Sequence, residues 1–188
     1  LPNLAVLASG TGSNFEVLCN EFRETDLFPL ILVYDRQNAP VLEKARKNGV
    51  EALYLPFPPA QKESASQILT QELKARDIQF IILAGFMKML PPSFVNTWDT
   101  RILNIHPSLL PRHPGTDSIK KAFDQGDREI GITIHLVDKG MDTGPILFQN
   151  FFLRQEEDNL EEIEKKVHNL EHGWYPKVIR DYTGKYQE

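Results

Sequence analysis

Apolar positions in this chain alternate between short continuous runs and helically spaced stripes. Leu4–Ala8, Leu30–Tyr34, Ala52–Leu55 and Phe80–Ala84 are near-continuous runs, as expected of strands buried on both faces. Between them, Phe15, Leu18 and Phe22 recur at helical spacing, and Val41–Asn48 forms a second helical stretch stopped by Gly49. A third, Ala65–Arg76, sets Ile68, Leu69 and Leu73 on one face. Such strand–helix repetition predicts a parallel sheet covered by helices.

The pattern changes in the second half. Ile102–His106 is a fifth strand and Ser118–Phe123 a short helix. Gly131–Asp138 alternates in the manner of a strand, and Ile146–Leu153 is a further extended stretch. Only seven residues, Lys139–Pro145, separate these two. That is too few for a helical crossover, so an antiparallel pair is expected. A last helix starts near Asp158, with Glu161 in capping-box position, and turns Ile163, Val167 and Leu170 inward. The expected fold is one α/β domain over residues 1–188. Its sheet is parallel in the first half and mixed or antiparallel in the second, with helices on both faces.

Charge and composition narrow the function classes. A net charge of −5, with scattered Lys and Arg, argues against a nucleic-acid footprint. No apolar run approaches the ~18 residues of a membrane span, and no basic-then-apolar leader is evident, so a cytoplasmic protein is expected. The single Cys19 excludes an internal disulfide and offers no zinc cluster. Small-molecule chemistry, by a monomer or homodimer, is the remaining expectation.

The candidate chemistry centres on Asn104 and His106. Two residues apart on a strand, they project to one side, and Pro107 ends the strand beside them. Ligands of open α/β sheets bind at that end. An amide that can donate to an oxyanion, beside an imidazole that can move a proton, suggests attack on a carbonyl. Asp142 lies in the Lys139–Pro145 loop, where a carboxylate could stabilise an imidazolium. Gly140 and Gly144 flank it, and the loop is expected to move. Asp142 reads equally well as a turn residue.

Gly10-Thr-Gly-Ser-Asn14, between the first strand and helix, could present backbone N–H groups to a phosphate. A dinucleotide fingerprint would need glycine at position 15, which is Phe15, although Asp35 stands where a ribose-binding acid could. His168-Asn-Leu-Glu-His172 matches an H-x-x-E-H zinc pattern, but Gly173 and Pro176 follow and little chain remains for a further ligand. No metal is expected.

Six stretches in order along the chain carry a resemblance: LASGTGSN (7–14), LAGFMKML (83–90), LNIHPSLLP (103–111), GITIHLV (131–137), MDTGP (141–145) and EHGWYP (171–176). Together they resemble the phosphoribosylglycinamide formyltransferase family. The resemblance implies a Rossmann-like formyltransferase fold, with a nucleotide-binding half over about 1–100 and a folate and catalytic half over about 101–188. It implies transfer of the formyl group of 10-formyltetrahydrofolate to the amine of glycinamide ribonucleotide in purine biosynthesis. Asn104, His106 and Asp142 match the family's catalytic trio. Gly12, Ser13 and Asn14, with adjoining contacts toward Phe15 and Glu16, match its phosphate site, and Glu171 its ribonucleotide acid. Met87, Lys88, Met89 and Leu90, with Asn104 and the loop Asp138, Lys139, Gly140, Met141 and Asp142, match its folate contacts. Lys62 falls where the family has a basic residue near the folate. The chain departs from the pattern at Asp35-Arg36 and at Gly115–Ser118. Methionyl-tRNA formyltransferase and formyltetrahydrofolate hydrolase resemble the core but carry further domains. The alternatives are a sugar-nucleotide formyltransferase and an NAD-type nucleotide-binding protein.

Overall fold

The apolar runs become β1 (Asn3–Ala8), β2 (Ile31–Tyr34), β3 (Glu51–Tyr54), β4 (Ile78–Leu83) and β5 (Ile102–His106), all parallel, in the order β3-β2-β1-β4-β5. The computed structural model describes residues 2–187. β6 (Glu129–Leu136) and β7 (Ile146–Leu153) extend the sheet antiparallel beyond β5, as the short connection between them requires. The helices are α1 (Ser13–Phe22), α2 (Val41–Asn48), α3 (Lys62–Ala75), α4 (Pro92–Thr97), α5 (Ser118–Asp124) and α6 (Leu160–Gly184).

Strand alternation divides the interior into two cores. Leu4, Val6, Ile82 and Leu103 face Phe15, Leu18, Ile163 and Val167 of α1 and α6. Ala5, Leu7, Ile81 and Ile102 face Leu69, Leu73 and Phe94 of α3 and α4. Each fully buried Leu or Phe contributes about 1.5–3 kcal/mol relative to exposure. The helices therefore lie on both faces, and the C-terminal ends of the central strands stay open.

Four details depart from the sequence reading. Ile68 is exposed, and Ala65 and Ser66 complete the buried stripe of α3 instead. α4 fills the stretch between β4 and β5, for which the apolar pattern predicted no element. Pro92 opens the helix, where a missing N–H removes no intrahelical bond. The capping box lies one residue later, between Asn159 and Glu162, while Asp158 pairs with Lys166. α6 also runs through Gly173 and Pro176. Tyr175, buried there, shares its O–H between the carbonyls of Leu83 and Leu103 at 2.8 and 3.1 Å, fastening α6 to the ends of β4 and β5.

Candidate active site

A cleft of about 590 Å³ opens over the C-terminal ends of β1, β4 and β5. One end is built by the turn from β1 into α1. Gly12, at φ +72°, caps α1, and a Cβ there would collide with Val41 of α2, so glycine is required twice over. Glu16 N–H is the first to bond back, to Gly12 C=O at 2.9 Å. The N–H groups of Ser13, Asn14 and Phe15 thus stay outside the helical ladder, at its positive end.

β5 supplies the centre. Asn104 and His106 share the face of Ile102 and reach the cleft. Asn104 Nδ2 lies 3.2 Å from His135 Nε2, on the residue opposite it in β6. His135 Nδ1–H donates to Leu136 C=O at 2.8 Å, so its Nε2 lone pair accepts from the Asn104 amide. Burial pushes the His135 pKa down, which keeps this acceptor neutral. One amide hydrogen is thereby fixed, and the other is left for the cleft.

His106 is buried, and oxygen atoms face both of its nitrogens. Nε2 lies 2.9 Å from His113 C=O and 3.1 Å from Ser118 Oγ, whose own hydrogen goes to Gly115 C=O. Nδ1 lies 3.4 Å from Asp142 Oδ2. Gly115 N–H holds the same Asp142 oxygen at 2.8 Å, and Oδ1 stands 3.7 Å from His135 Nε2. His106 and Asp142 therefore face each other, with Asn104 linked to them through His135, and Asp142 is more than a turn residue. The loop's glycines serve packing: a Cβ on Gly140 would strike Thr143, and one on Gly144 would strike Leu136 C=O.

The other end is walled by sulfur. Met87 and Met89 follow β4 on one side and Met141 stands on the β6–β7 loop opposite, 63%, 39% and 53% exposed. Ser9 fastens the first wall, since its N–H donates to Gly85 C=O and its Oγ accepts Met87 N–H at 2.9 Å.

The sequence pattern of the formyl transferase family matches residues 2–179. The chain belongs to that family. The phosphoribosylglycinamide formyltransferase of Bacillus subtilis (strain 168) is 40% identical over 192 residues, 98% of this chain and 96% of that protein. That of Escherichia coli (strain K12) is 33% identical, over 94% of this chain and 85% of its own. The crystal structure of glycinamide ribonucleotide transformylase 1 from Geobacillus kaustophilus is 39% identical and superposes with a TM-score of 0.89, covering 96% of this chain and 97% of that one.

In this formyl transferase most of the expected site residues converge. Gly12, Ser13, Asn14, Met87–Leu90, Asn104, His106, Asp138, Gly140–Asp142 and Glu171 all line the cleft. Four do not. The Phe15 side chain is fully buried in the core, leaving only its backbone at the turn. Glu16 turns to α2, where Lys44 at 2.8 Å holds its carboxyl below the usual range. Lys62 opens α3 and Lys139 sits on the loop, both outside the cleft lining. Asp35 is buried outside the lining too, so the dinucleotide reading loses both its acid and its third glycine.

His135, His168, Gly115 and Ser118 were missed. The antiparallel β5–β6 register pairs His135 with Asn104, a partnership that the pattern of neither strand carries alone. His168, in the H-x-x-E-H string, lines the cleft with Nδ1 2.8 Å from Glu171 Oε2. Gly115–Ser118, a departure from the family pattern, is the segment that braces Asp142 and His106.

Proposed function

We propose that this formyl transferase moves the formyl group of 10-formyltetrahydrofolate onto the primary amine of glycinamide ribonucleotide. The convergence of Asn104, His106 and Asp142 carries the reading, because the trio shares one cleft with a helix N-terminus suited to a phosphate and with thioethers suited to a flat ring. The folate supplies a formyl group already activated as an amide, and the protein supplies orientation and charge. Asn104 donates its second amide hydrogen to the formyl oxygen as negative charge builds there. His106 meets the same oxygen through Nδ1–H, while Asp142 stabilises the imidazolium and Nε2–H rests on His113 C=O. Asp142 takes the proton released by the attacking amine, through water, and returns it to the departing folate nitrogen. Asn14 Oδ1, buried and without a partner among the described residues, suits a donor group of the ribonucleotide.

The test mixes the protein with glycinamide ribonucleotide and a 10-formyl folate and follows deformylated folate by absorbance. Deformylation at the same rate without the ribonucleotide would point to a hydrolase. Transfer only to an amino-sugar nucleotide would replace the acceptor.

Asn14→Asp tests the phosphate end. A carboxylate placed beside Glu171 should raise the ribonucleotide KM roughly tenfold, equivalent to ~1.4 kcal/mol, and barely move that of the folate. Equal changes in both would remove the phosphate from this turn.

The bond to Glu171 holds the His168 pKa above the ordinary imidazole value. His168 therefore keeps its charge to higher pH than an ordinary imidazole and loses it as pH rises through the raised value. Its contribution to anion binding should disappear in that window. The ribonucleotide KM should rise with pH more steeply in the wild type than in His168→Gln, and parallel profiles would exclude His168 from the anion site.

A further inference from the structure

Asp35, directly after β2, carries a fully buried carboxylate. Neither of its oxygens has a hydrogen-bond partner among the described residues. A buried unbonded carboxylate is expensive, so its retention calls for a reason. The nearest cation is Lys88, whose Nζ lies 3.9 Å from Asp35 Oδ2, beyond hydrogen-bond reach but within ion-pair distance. The strand order explains the meeting. β1 lies between β2 and β4, so the pair spans the end of β1, from the tip of β2 to the segment that follows β4.

Among the described residues Lys88 is the only Lys or Arg that lines the cleft, whose lining includes the carboxylates of Asp117, Asp138, Asp142 and Glu171. Away from Lys88, His168 and the N-terminus of α1, these carboxylates disfavour an anionic ligand. Lysine is a flexible point charge on a four-carbon stem, and Lys88 is about one-third exposed. Without a counter-charge it would spread into solvent. We propose that Asp35 is a positioning residue that holds the Lys88 ammonium at the cleft rim, where it receives the carboxylates of the formyl donor's glutamate tail. Asp35 itself touches no substrate, and the inference rests on the folate-donor reading above.

The test compares two donors, 10-formyltetrahydrofolate and the same molecule with both tail carboxylates converted to amides. Asp35→Asn should raise the KM of the charged donor about fivefold, the upper end of what a partly exposed ion pair contributes. The diamide KM, the ribonucleotide KM and kcat should stay within about twofold, since the chemistry and the helix end are untouched. In a Lys88→Met background, Asp35→Asn should add nothing, because its effect passes through the ammonium. Should Asp35→Asn not fold, Asp35→Leu carries the same comparison. Equal changes for both donors, no change for either, or an effect that persists in Lys88→Met would overturn the proposal. Calorimetric Kd values for tetrahydrofolate and its diamide repeat the comparison without turnover. Wild-type protein that binds tetrahydrofolate with this charge dependence but transfers no formyl group would overturn the activity and leave the positioning role standing.

Discussion

Asn104→Ala should fold normally and lose on the order of 10²–10³ in kcat, the usual consequence of removing one oxyanion donor. The side chain is partly buried at the end of β5, and its Nδ2 bonds His135, whose neutral ring is fixed by Leu136 C=O. Truncation leaves His135 Nε2 without its donor, a modest loss of stability of about 1–3 kcal/mol. The transition state loses a donor aimed in advance, which water entering the gap replaces poorly. Because the formyl oxygen gains charge only during attack, both KM values should hold within about twofold while kcat falls. Steady-state kinetics beside a thermal melt separates the two losses. A folded variant with near-normal turnover would remove Asn104 from the reaction.

The second large effect is expected at Asp142→Asn. Asp142 sits at φ +54°, a conformation that Asn tolerates better than most residues, and an amide oxygen can still accept Gly115 N–H. Shape is therefore preserved while the negative charge beside His106 Nδ1 and His135 Nε2 is removed. The amide can neither stabilise an imidazolium nor take up a proton. A fall in kcat of about 10²–10⁴ is expected, the range for a lost proton-transfer group. Ribonucleotide KM should be nearly unchanged, since the helix N-terminus lies elsewhere in the cleft. Asp142→Ala should be worse still, because it also releases the Gly115 anchor. Turnover within a few-fold of wild type in Asp142→Asn would reduce Asp142 to a structural brace.

What was legible in the sequence followed from local rules. Period two placed Asn104 and His106 on one face, and Pro107 marked the strand end beside the cleft. A seven-residue connection allowed only the antiparallel β6–β7 pair. Illegible features depended on distant partners or on overlapping local signals. Glu16 belongs to Lys44, 28 positions away, so position near a Gly-rich turn did not predict its direction. Phe15 follows the same turn, yet helical periodicity turns it into the core. Asp158-x-x-Glu161 and Asn159-x-x-Glu162 are both acceptable capping boxes, and the geometry chose the second. Gly140 and Gly144 have a packing role that one dimension does not show, since their lack of a side chain lets Thr143 and Leu136 approach. The support of His106 by His113, Ser118 and Gly115 needed the folded loop, because none of those residues has a distinctive pattern in one dimension.

The sequence contains three methionines, and all of them, Met87, Met89 and Met141, stand on the cleft walls. Neither core contains one. Methyl carbon-13 labelling of methionine therefore yields resonances that originate in the cleft alone, two from the segment after β4 and one from the hairpin loop. Titration with either substrate would shift these signals against no background from the interior. A chemical-shift change confined to Met141 would report the hairpin loop alone, and a joint change would report occupation of the space between the walls.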